Sequence, residues 1–511
     1  MALSKSRYTA FCQCPKALWL KVNKPNAAEK DEALEARFAQ GTEVGNLAKQ
    51  LFGNYKDVTT HKEDGSLDYQ RMIELTRQYM AEGVENICEA SFSCPGNYCA
   101  VDILHKTPDG WAMYEVKSTS FPEFNEKPAK LEKYAPDIAY QKWVLMQCGV
   151  KVAGTYLVCL NSDYVREGAL DIQQLFVMKD MGEMVANEIL KVPARVSLAT
   201  KVLDSRDEPE QDLGIQCNKP YHCAFWKYCG AHLPKPSVFD IYGGSFKSKK
   251  EDTFYISEKL KYYQAGKISF ADLKGEPLGH IQRLQVEGKE YIDKANIRRF
   301  LDTLEYPLYF LDYETMQDAV PRYDGAKPYQ QITFQYSLHI KESETASSFI
   351  HKEHLAVSDG TDPRRKLAEQ LCQDIPMGAC VLAYNKKFEE GRTKELAALY
   401  PDLRAHLLDI AGNIKDLLDP FQAGDYYLPA MGGSFSIKSV LPALFPGEPS
   451  LNYKNLSELC RNGGDAMTIF PRIKDMPPAE AAAARTALKE YCKLDTWAMV
   501  KVWQKLKEVS K

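Results

Sequence analysis

Residues 100–117 read AVDILHKTPDGWAMYEVK. Two apolar-rich runs flank Thr107-Pro108-Asp109-Gly110. Proline presets φ there and glycine closes the turn, so the segment is predicted to be a β-hairpin. With Pro108 and Asp109 as the loop pair, Asp102 falls opposite Glu115. Directly opposed residues have Cβ atoms roughly 4.5–5.5 Å apart, close enough for two carboxylates to share a divalent cation. A bulge at the turn would shift that register by one. Glu115 and Lys117 are two apart and therefore share a face of their strand.

The chain around this hairpin has 511 residues, enough for about three domains of ~150 residues or two larger ones. Its 45% hydrophobic and 26% charged residues are those of a soluble globular protein and exclude wholesale disorder. No apolar run approaches the roughly 18 residues of a membrane span. The opening MALSKSRYTAFCQC lacks the apolar core of a secretory signal, so a cytoplasmic protein with no membrane partner is expected. Net charge is −4, from 65 basic and 69 acidic residues. No global basic field advertises a nucleic-acid partner, but carboxylate clusters can cancel local basic patches in such a sum.

Ten of the fourteen cysteines precede residue 230, a bias that points to a metal or cluster site in the first half. Cys217, Cys223 and Cys229 lie in CNKPYHCAFWKYC. Zinc ligands come as tighter C-x2–4-C pairs, so this wider spacing suits an iron–sulfur loop. A cluster needs four thiolates, and the fourth candidate is Cys14, in Cys-Pro-x-x-Leu-Trp, with Cys12 as the alternative. Cys88, Cys94 and Cys99 fall in or beside predicted strands and read as ordinary buried residues.

Boundaries are expected near 1–234, 235–300 and 301–511. The first segment carries an amphipathic helix at about 29–51, strands over 87–120, a helix over 135–148 and a buried strand over 153–160. The middle one reads as a connector, with Gly243-Gly244-Ser245 and Lys247-Ser248-Lys249-Lys250 as punctuation and one short helix. In the last, strands alternate with helices from Tyr309 onward. Leu308-Tyr-Phe-Leu-Asp312-Tyr-Glu314-Thr is a buried strand whose two acids share a face. Uncompensated charge in apolar surroundings is costly, and a metal ion is the natural compensation. Cys380–Tyr384 is a second buried strand, and Asn385-Lys-Lys-Phe388-Glu389 opens a helix. Pro477-Pro478 starts the last helix, where Tyr491 and Asp495 are four apart and so on one face. Asp409 reads as a helix cap, and Lys438 as either a phosphate contact or a solvated helix residue.

In the first half, Ser6-Arg7-Tyr8, Cys14-Pro15, Trp19, Val101-Asp102, Glu115-Val-Lys117 and the three late cysteines occur in an order that resembles the RecB-type PD-(D/E)XK nucleases. The likeness is to their iron–sulfur branch, found in CRISPR adaptation nucleases and AddB-type helicase–nucleases. It covers about residues 4–230. It implies a restriction-endonuclease-like α/β domain whose Asp102 and Glu115 hold Mg²⁺ or Mn²⁺ beside Lys117. A [4Fe-4S] cluster on Cys14, Cys217, Cys223 and Cys229 would brace it. Two positions depart from the pattern. Gly45, four after Gly41, stands where a metal-binding histidine is usual, with Glu43 nearby. The glutamine–tyrosine helix motif keeps Gln141 but has Leu145 in the tyrosine slot.

In the second half, the Asp-x-Glu strand, Asn-x-x-Phe-Glu and Tyr-x-x-x-Asp resemble the DnaQ-type DEDDy 3′–5′ exonucleases. That implies an RNase H-like α/β domain with two metal ions. Asp312, Glu314, Glu389 and Asp495 would be their ligands, and Tyr491 would position the attacking water. Glu389 replaces the usual aspartate. The whole chain resembles a group of bacterial proteins that fuse these two modules.

The implied activity is metal-dependent cleavage of nucleic acid, DNA in preference to RNA, in repair or phage defence, with a helicase or defence-system partner. Two other readings compete. In one, only the second module cuts and the first is a cluster-bearing platform for nucleic acid. In the other, the chain is a non-catalytic adaptor.

Overall fold

The computed structural model describes residues 2–29, 34–124, 128–243 and 258–511. The chain is α/β and divides into two compact units. Met1–Leu233 and Asp318–Tyr329 belong to the first; Pro234–Ser245, Ser257–Gln317 and Gln330–Lys511 form the second. Among the described residues no helix is long and apolar enough to cross a membrane.

The first unit is built on a seven-stranded sheet. Its strands are β1 (Leu3–Ser4), β2 (Lys56–Asp57), β3 (Asn86–Cys94), β4 (Asn97–Thr107), β5 (Gly110–Phe121), β6 (Val152–Asn161) and β7 (Phe176–Asp180). The order is β2-β3-β4-β5-β6-β7, with β1 parallel to β4. The predicted hairpin is β4–β5, joined by Pro108 and Asp109, and Leu104 pairs with Met113 and Ile103 with Tyr114. β6 lies parallel to β5, and the helix Ala135–Gln147 makes the crossover that parallel neighbours require. Its Ile138, Tyr140, Val144 and Leu145 are buried in one core with Val101, Leu104 and Leu157. Burying a side chain of that size stabilises by roughly 1.5–3 kcal/mol, which fixes the helix over the sheet. Tyr140 donates its hydroxyl to the Leu3 carbonyl at 2.5 Å and ties β1 to that helix. Cys88 and Cys99 are buried in the strands. The early amphipathic helix spans Leu34–Ala48.

The second unit holds β8 (Tyr291–Ile292), β9 (Leu308–Gln317), β10 (Gln331–Lys341), β11 (Ile350–Leu355), β12 (Cys380–Ala383), β13 (Ile414–Asp416) and β14 (Tyr426–Tyr427). Five make a sheet in the order β11-β10-β9-β12-β13. β10 runs antiparallel to β9 and β11, while β9, β12 and β13 are mutually parallel. β9, LYFLDYETMQ, is buried along nearly its whole length. Its Phe310 packs in one core with the C-terminal helix Pro478–Val509, and its Leu311 and Tyr313 in another with Leu367 and Leu396.

Two boundaries differ from the sequence expectation. The stretch 235–300 is no free connector: it supplies helices Glu258–Gln264, His280–Glu287 and Lys294–Leu301 to the second unit. Val238, Ile241 and Leu273 form a small core of their own there. Residues 318–329, placed by sequence in the last domain, belong to the first unit, where Ala319 and Val320 are buried beside Val44, Ile103 and Tyr164. Tertiary membership of this kind is set by contacts with residues distant in the chain and is not carried by local composition. The expected punctuation at Gly244, Ser245 and 247–250 lies outside the described residues.

Candidate active site

In the first unit the backbone ladder of the hairpin is regular up to Ile103–Tyr114, and Asp102 and Glu115 come next. There Asp102 Oδ2 accepts the Val116 N–H at 2.7 Å instead of continuing the ladder. Glu115 is buried at 1% exposure and is held by three donors. Lys5 Nζ lies 3.0 and 3.1 Å from its two oxygens, Lys117 Nζ 2.5 Å from Oε1, and Gln141 Nε2 2.7 Å from Oε2. Lys117 also reaches Asp137 Oδ2 at 3.0 Å, and Lys5 Nζ stands 3.7 Å from Asp102 Oδ1. Three carboxylates thus surround two ammonium groups.

Electrostatics follow from that arrangement. Burial, with the Glu115 charge adding to it, pushes Asp102 up to about 7. Burial acts on Glu115 too, but Lys117 and Lys5 overcome it and hold its carboxyl well below the usual range.

Three residues here escaped the sequence reading. Lys5 sits at the start of the first helix beside Ser6-Arg7-Tyr8, and Asp137 lies one helical turn before Gln141; that spacing was the available signal. Glu89 occupies a kink of β3 with φ 56, between Cys88, which pairs with Ile103, and Ala90, which pairs with Val101. It therefore sits across from Asp102. A non-glycine residue in left-handed backbone marks a constrained position. Gly45 has open space: a Cβ there would meet nothing within 4 Å. Glu43, on the same helix, is exposed. Beside Lys117 and Asp137 opens a cleft of about 910 Å³ lined by Lys21, Lys117, Lys130, Lys133 and Lys219, with Tyr134 and Tyr221.

Cys14, Cys217, Cys223 and Cys229 line one small cavity. Cys14 stands at the joint between helices Lys5–Gln13 and Pro15–Asn23. Cys12 is outside it, its Sγ 3.8 Å from Arg195 Nη1. A tetrahedral zinc with Zn–S of about 2.3 Å would hold its thiolates roughly 3.8 Å apart. Among the described residues no three cysteine sulfurs lie within 4.8 Å of one another.

In the second unit β9 presents Asp312 and Glu314, the helix Lys387–Leu399 presents Glu389, and the C-terminal helix presents Tyr491 and Asp495. Ligand atoms of Asp312, Glu314 and Cys492 lie within 4.8 Å of one another. Burial, reinforced by Asp495 and Glu314, holds Asp312 well above the usual carboxylate range. Burial and Asp495 do the same to Glu314. Burial pushes Glu389 up to about 8 and Asp495 to about 6. Glu389 Oε2 is buried with no hydrogen-bond partner among the described residues. Lys438 faces this group, its Nζ 3.4 Å from the Tyr491 hydroxyl and over the rings of Tyr453 and Tyr491, and Arg392 acts on Glu389. Tyr453 donates to Asp495 Oδ1 at 2.5 Å.

Supporting contacts here also went unread. Asp416, at the end of β13, accepts the backbone N–H groups of Asn385 and Lys386 at 2.8 and 2.9 Å, and so aims the helix that carries Glu389. Asn385 adopts φ 68 at that turn, a conformation asparagine tolerates better than most residues. A Cβ at Gly463 would stand 3.6 Å from Glu314 Oε2. Asp409 does not cap its helix: it lies within Arg404–Gly412 and accepts the Gly378 N–H at 2.6 Å.

Residues 309–436 match the family described as "Domain of unknown function (DUF2779)". That span holds Asp312, Glu314 and Glu389 and ends before Tyr491. The chain is also 26% identical over 395 residues to "Uncharacterized protein MG366 homolog" of Mycoplasma pneumoniae (strain ATCC 29342 / M129 / Subtype 1), an alignment covering 69% of this chain and 59% of that protein. The chain thus spans about three-fifths of the length of the curated relative it matches.

Proposed function

We propose that the protein is a metal-dependent nuclease with two phosphodiester-cleaving modules, acting on DNA in preference to RNA. One observation carries the reading. In the second unit three buried carboxyls, Glu314, Glu389 and Asp495, and the half-buried Asp312 lie near a single lysine, and one of their oxygens, Glu389 Oε2, has no partner among the described residues. Such a pocket is costly unless cations fill it. Divalent cations held by Asp312, Glu314, Glu389 and Asp495 would polarise a phosphate ester and activate water. Tyr491 would orient that water through its hydroxyl, and Lys438 would neutralise charge on the phosphate. The sheet order of this unit, with an antiparallel second strand beside three parallel ones, supports an RNase H-like assignment.

The meander of β3, β4 and β5 followed by a parallel β6, and the Asp102–Glu115–Lys117 grouping, support a PD-(D/E)XK-like first unit. Its lysine-rich cleft suits a phosphate backbone. Four cysteines around one small cavity, three of them separated by five residues in the chain, suit a [4Fe-4S] cluster. The charge balance differs between the sites. Glu115 already has two lysines, whereas the four acids of the second unit have Lys438 and, beside Glu389, Arg392, and burial holds their carboxyls above the usual range. That contrast favours a second reading, in which the first unit binds nucleic acid and only the second cuts.

Separate Glu115→Ala and Asp312→Ala proteins, assayed with Mg²⁺ and Mn²⁺ on labelled single- and double-stranded DNA and RNA, test both. Two distinct activities, each lost in one variant, are expected. Loss of all cleavage in Asp312→Ala alone leaves the first unit as a binding platform. No cleavage by the unaltered protein on any substrate refutes a nuclease.

A further inference from the structure

The C-terminal helix places Cys492 among the acids of the second unit, and nothing in the reading above uses it. Its Sγ lies 3.7 Å from Asp312 Oδ2, and one ligand atom each from Asp312, Glu314 and Cys492 fall within 4.8 Å of one another. Two ligands on one ion, with bonds of about 2.0–2.5 Å, stand at such separations. A second observation points to an ion at the same spot: the Glu314 carboxylate is 5% exposed and accepts no hydrogen bond among the described residues. Cys492 is itself fully buried and packs against β9, so water does not compete for the sulfur.

We infer that Cys492 is a metal ligand, so that one of the cation positions of the second unit is a mixed oxygen–sulfur site. The inference rests on the proposed metal site but goes beyond it, because it assigns the kind of ion. Mg²⁺ takes oxygen ligands and rejects thiolate, whereas Mn²⁺, Zn²⁺ and Cd²⁺ accept sulfur with increasing preference. Binding of a soft ion converts the thiol to thiolate and releases its proton to solvent. The site therefore prefers Mn²⁺ to Mg²⁺ and binds Cd²⁺ or Zn²⁺ tightly.

The test uses the full-length protein, first stripped of metal under reducing, anaerobic conditions. Cd²⁺ binding is followed by the ultraviolet thiolate-to-cadmium charge-transfer band, and Mn²⁺ binding by electron paramagnetic resonance. The difference between the unaltered protein and Cys492→Ser isolates this sulfur from the other thirteen cysteines. Expected are a difference band of one thiolate, about 100-fold weaker Cd²⁺ binding in Cys492→Ser, and Mg²⁺ affinity changed by less than about 3-fold. Asp312→Asn, which keeps the thiol and the side-chain shape, also loses that band, and it answers the question should Cys492→Ser not fold. Mn²⁺ binding that Asp312→Asn abolishes, with no thiolate difference band, overturns the inference and leaves the nuclease reading standing. No Mn²⁺ or Cd²⁺ bound in a manner sensitive to Asp312→Asn overturns both.

Discussion

Tyr453 donates its phenolic O–H to Asp495 Oδ1 across 2.5 Å, although the two residues are 42 positions apart and on separate elements. Tyr491, one helical turn before Asp495, holds its ring tilted at 59° to that of Tyr453 with centroids 6.1 Å apart, and Lys438 lies over both. The carboxylate that ends the Tyr-x-x-x-Asp motif is thus oriented by a second tyrosine that belongs to no motif.

Removing that donor leaves Asp495 held by Tyr491 alone, with a poorer aim at any cation. Partners of this outer kind typically contribute 10–100-fold in metal affinity or activity. Tyr453→Phe is expected to weaken Mn²⁺ binding in the second unit by about 10-fold or more at unchanged melting temperature, measured by titration calorimetry. Unaltered affinity shows that the bond is incidental.

Lys5 is half of the positive charge facing Asp102, Glu115 and Asp137. In Lys5→Met the three acids face Lys117 alone, and Asp102, already pushed up to about 7 by burial and by Glu115, rises further. A raised carboxyl binds its proton more tightly folded than unfolded, so its contribution to stability falls as pH rises through that range. The urea midpoint of Lys5→Met should drop more at pH 8 than at pH 5, with the deficit partly recovered by Mn²⁺. A loss equal at both pH values contradicts this account.

His339 is 4% exposed, with Nδ1 2.8 Å from the Thr496 hydroxyl. Burial, then the neighbouring His351 and Lys493 charges, push it down to about 3, so it is neutral in the folded protein. Unfolded, it titrates near ~6.5. The unfolded chain binds the extra proton between these values, so the stabilisation is complete above about 6.5 and is lost as pH falls toward 3. Chemical denaturation between pH 7 and 4 should show a shallower acid decline for His339→Gln than for the parent.

Four thiolates around an iron–sulfur cluster colour a protein brown, with broad absorbance near ~400 nm. Anaerobic purification should show that band, and Cys223→Ser should bleach it and release iron. Colourless protein carrying one zinc per chain rules the cluster out.

How much of this was legible in residue order depends on range. The hairpin at 100–117 was readable because a Pro-Asp turn and strand alternation are local, and its register followed from the two-residue loop. The acids of β9, the helix after β12 and the last helix stood out because charge inside apolar runs is rare on energetic grounds. Spacing could not show that Lys5 and Gln141 grip Glu115, that Asp416 aims the Glu389 helix, or that Cys492 joins Asp312. Each of those contacts joins residues far apart in the chain.

Sequence by itself determined the hairpin, the strand that carries Asp312 and Glu314 and the last helix with Tyr491 and Asp495, since periodicity and local turn chemistry act over a few residues. Only tertiary structure decided which unit owned 235–300 and 318–329, which acids were neutralised by lysine and which burial held above the usual carboxyl range. Electrostatic energy depends on distance in space and on the surrounding dielectric, and neither is written in residue order.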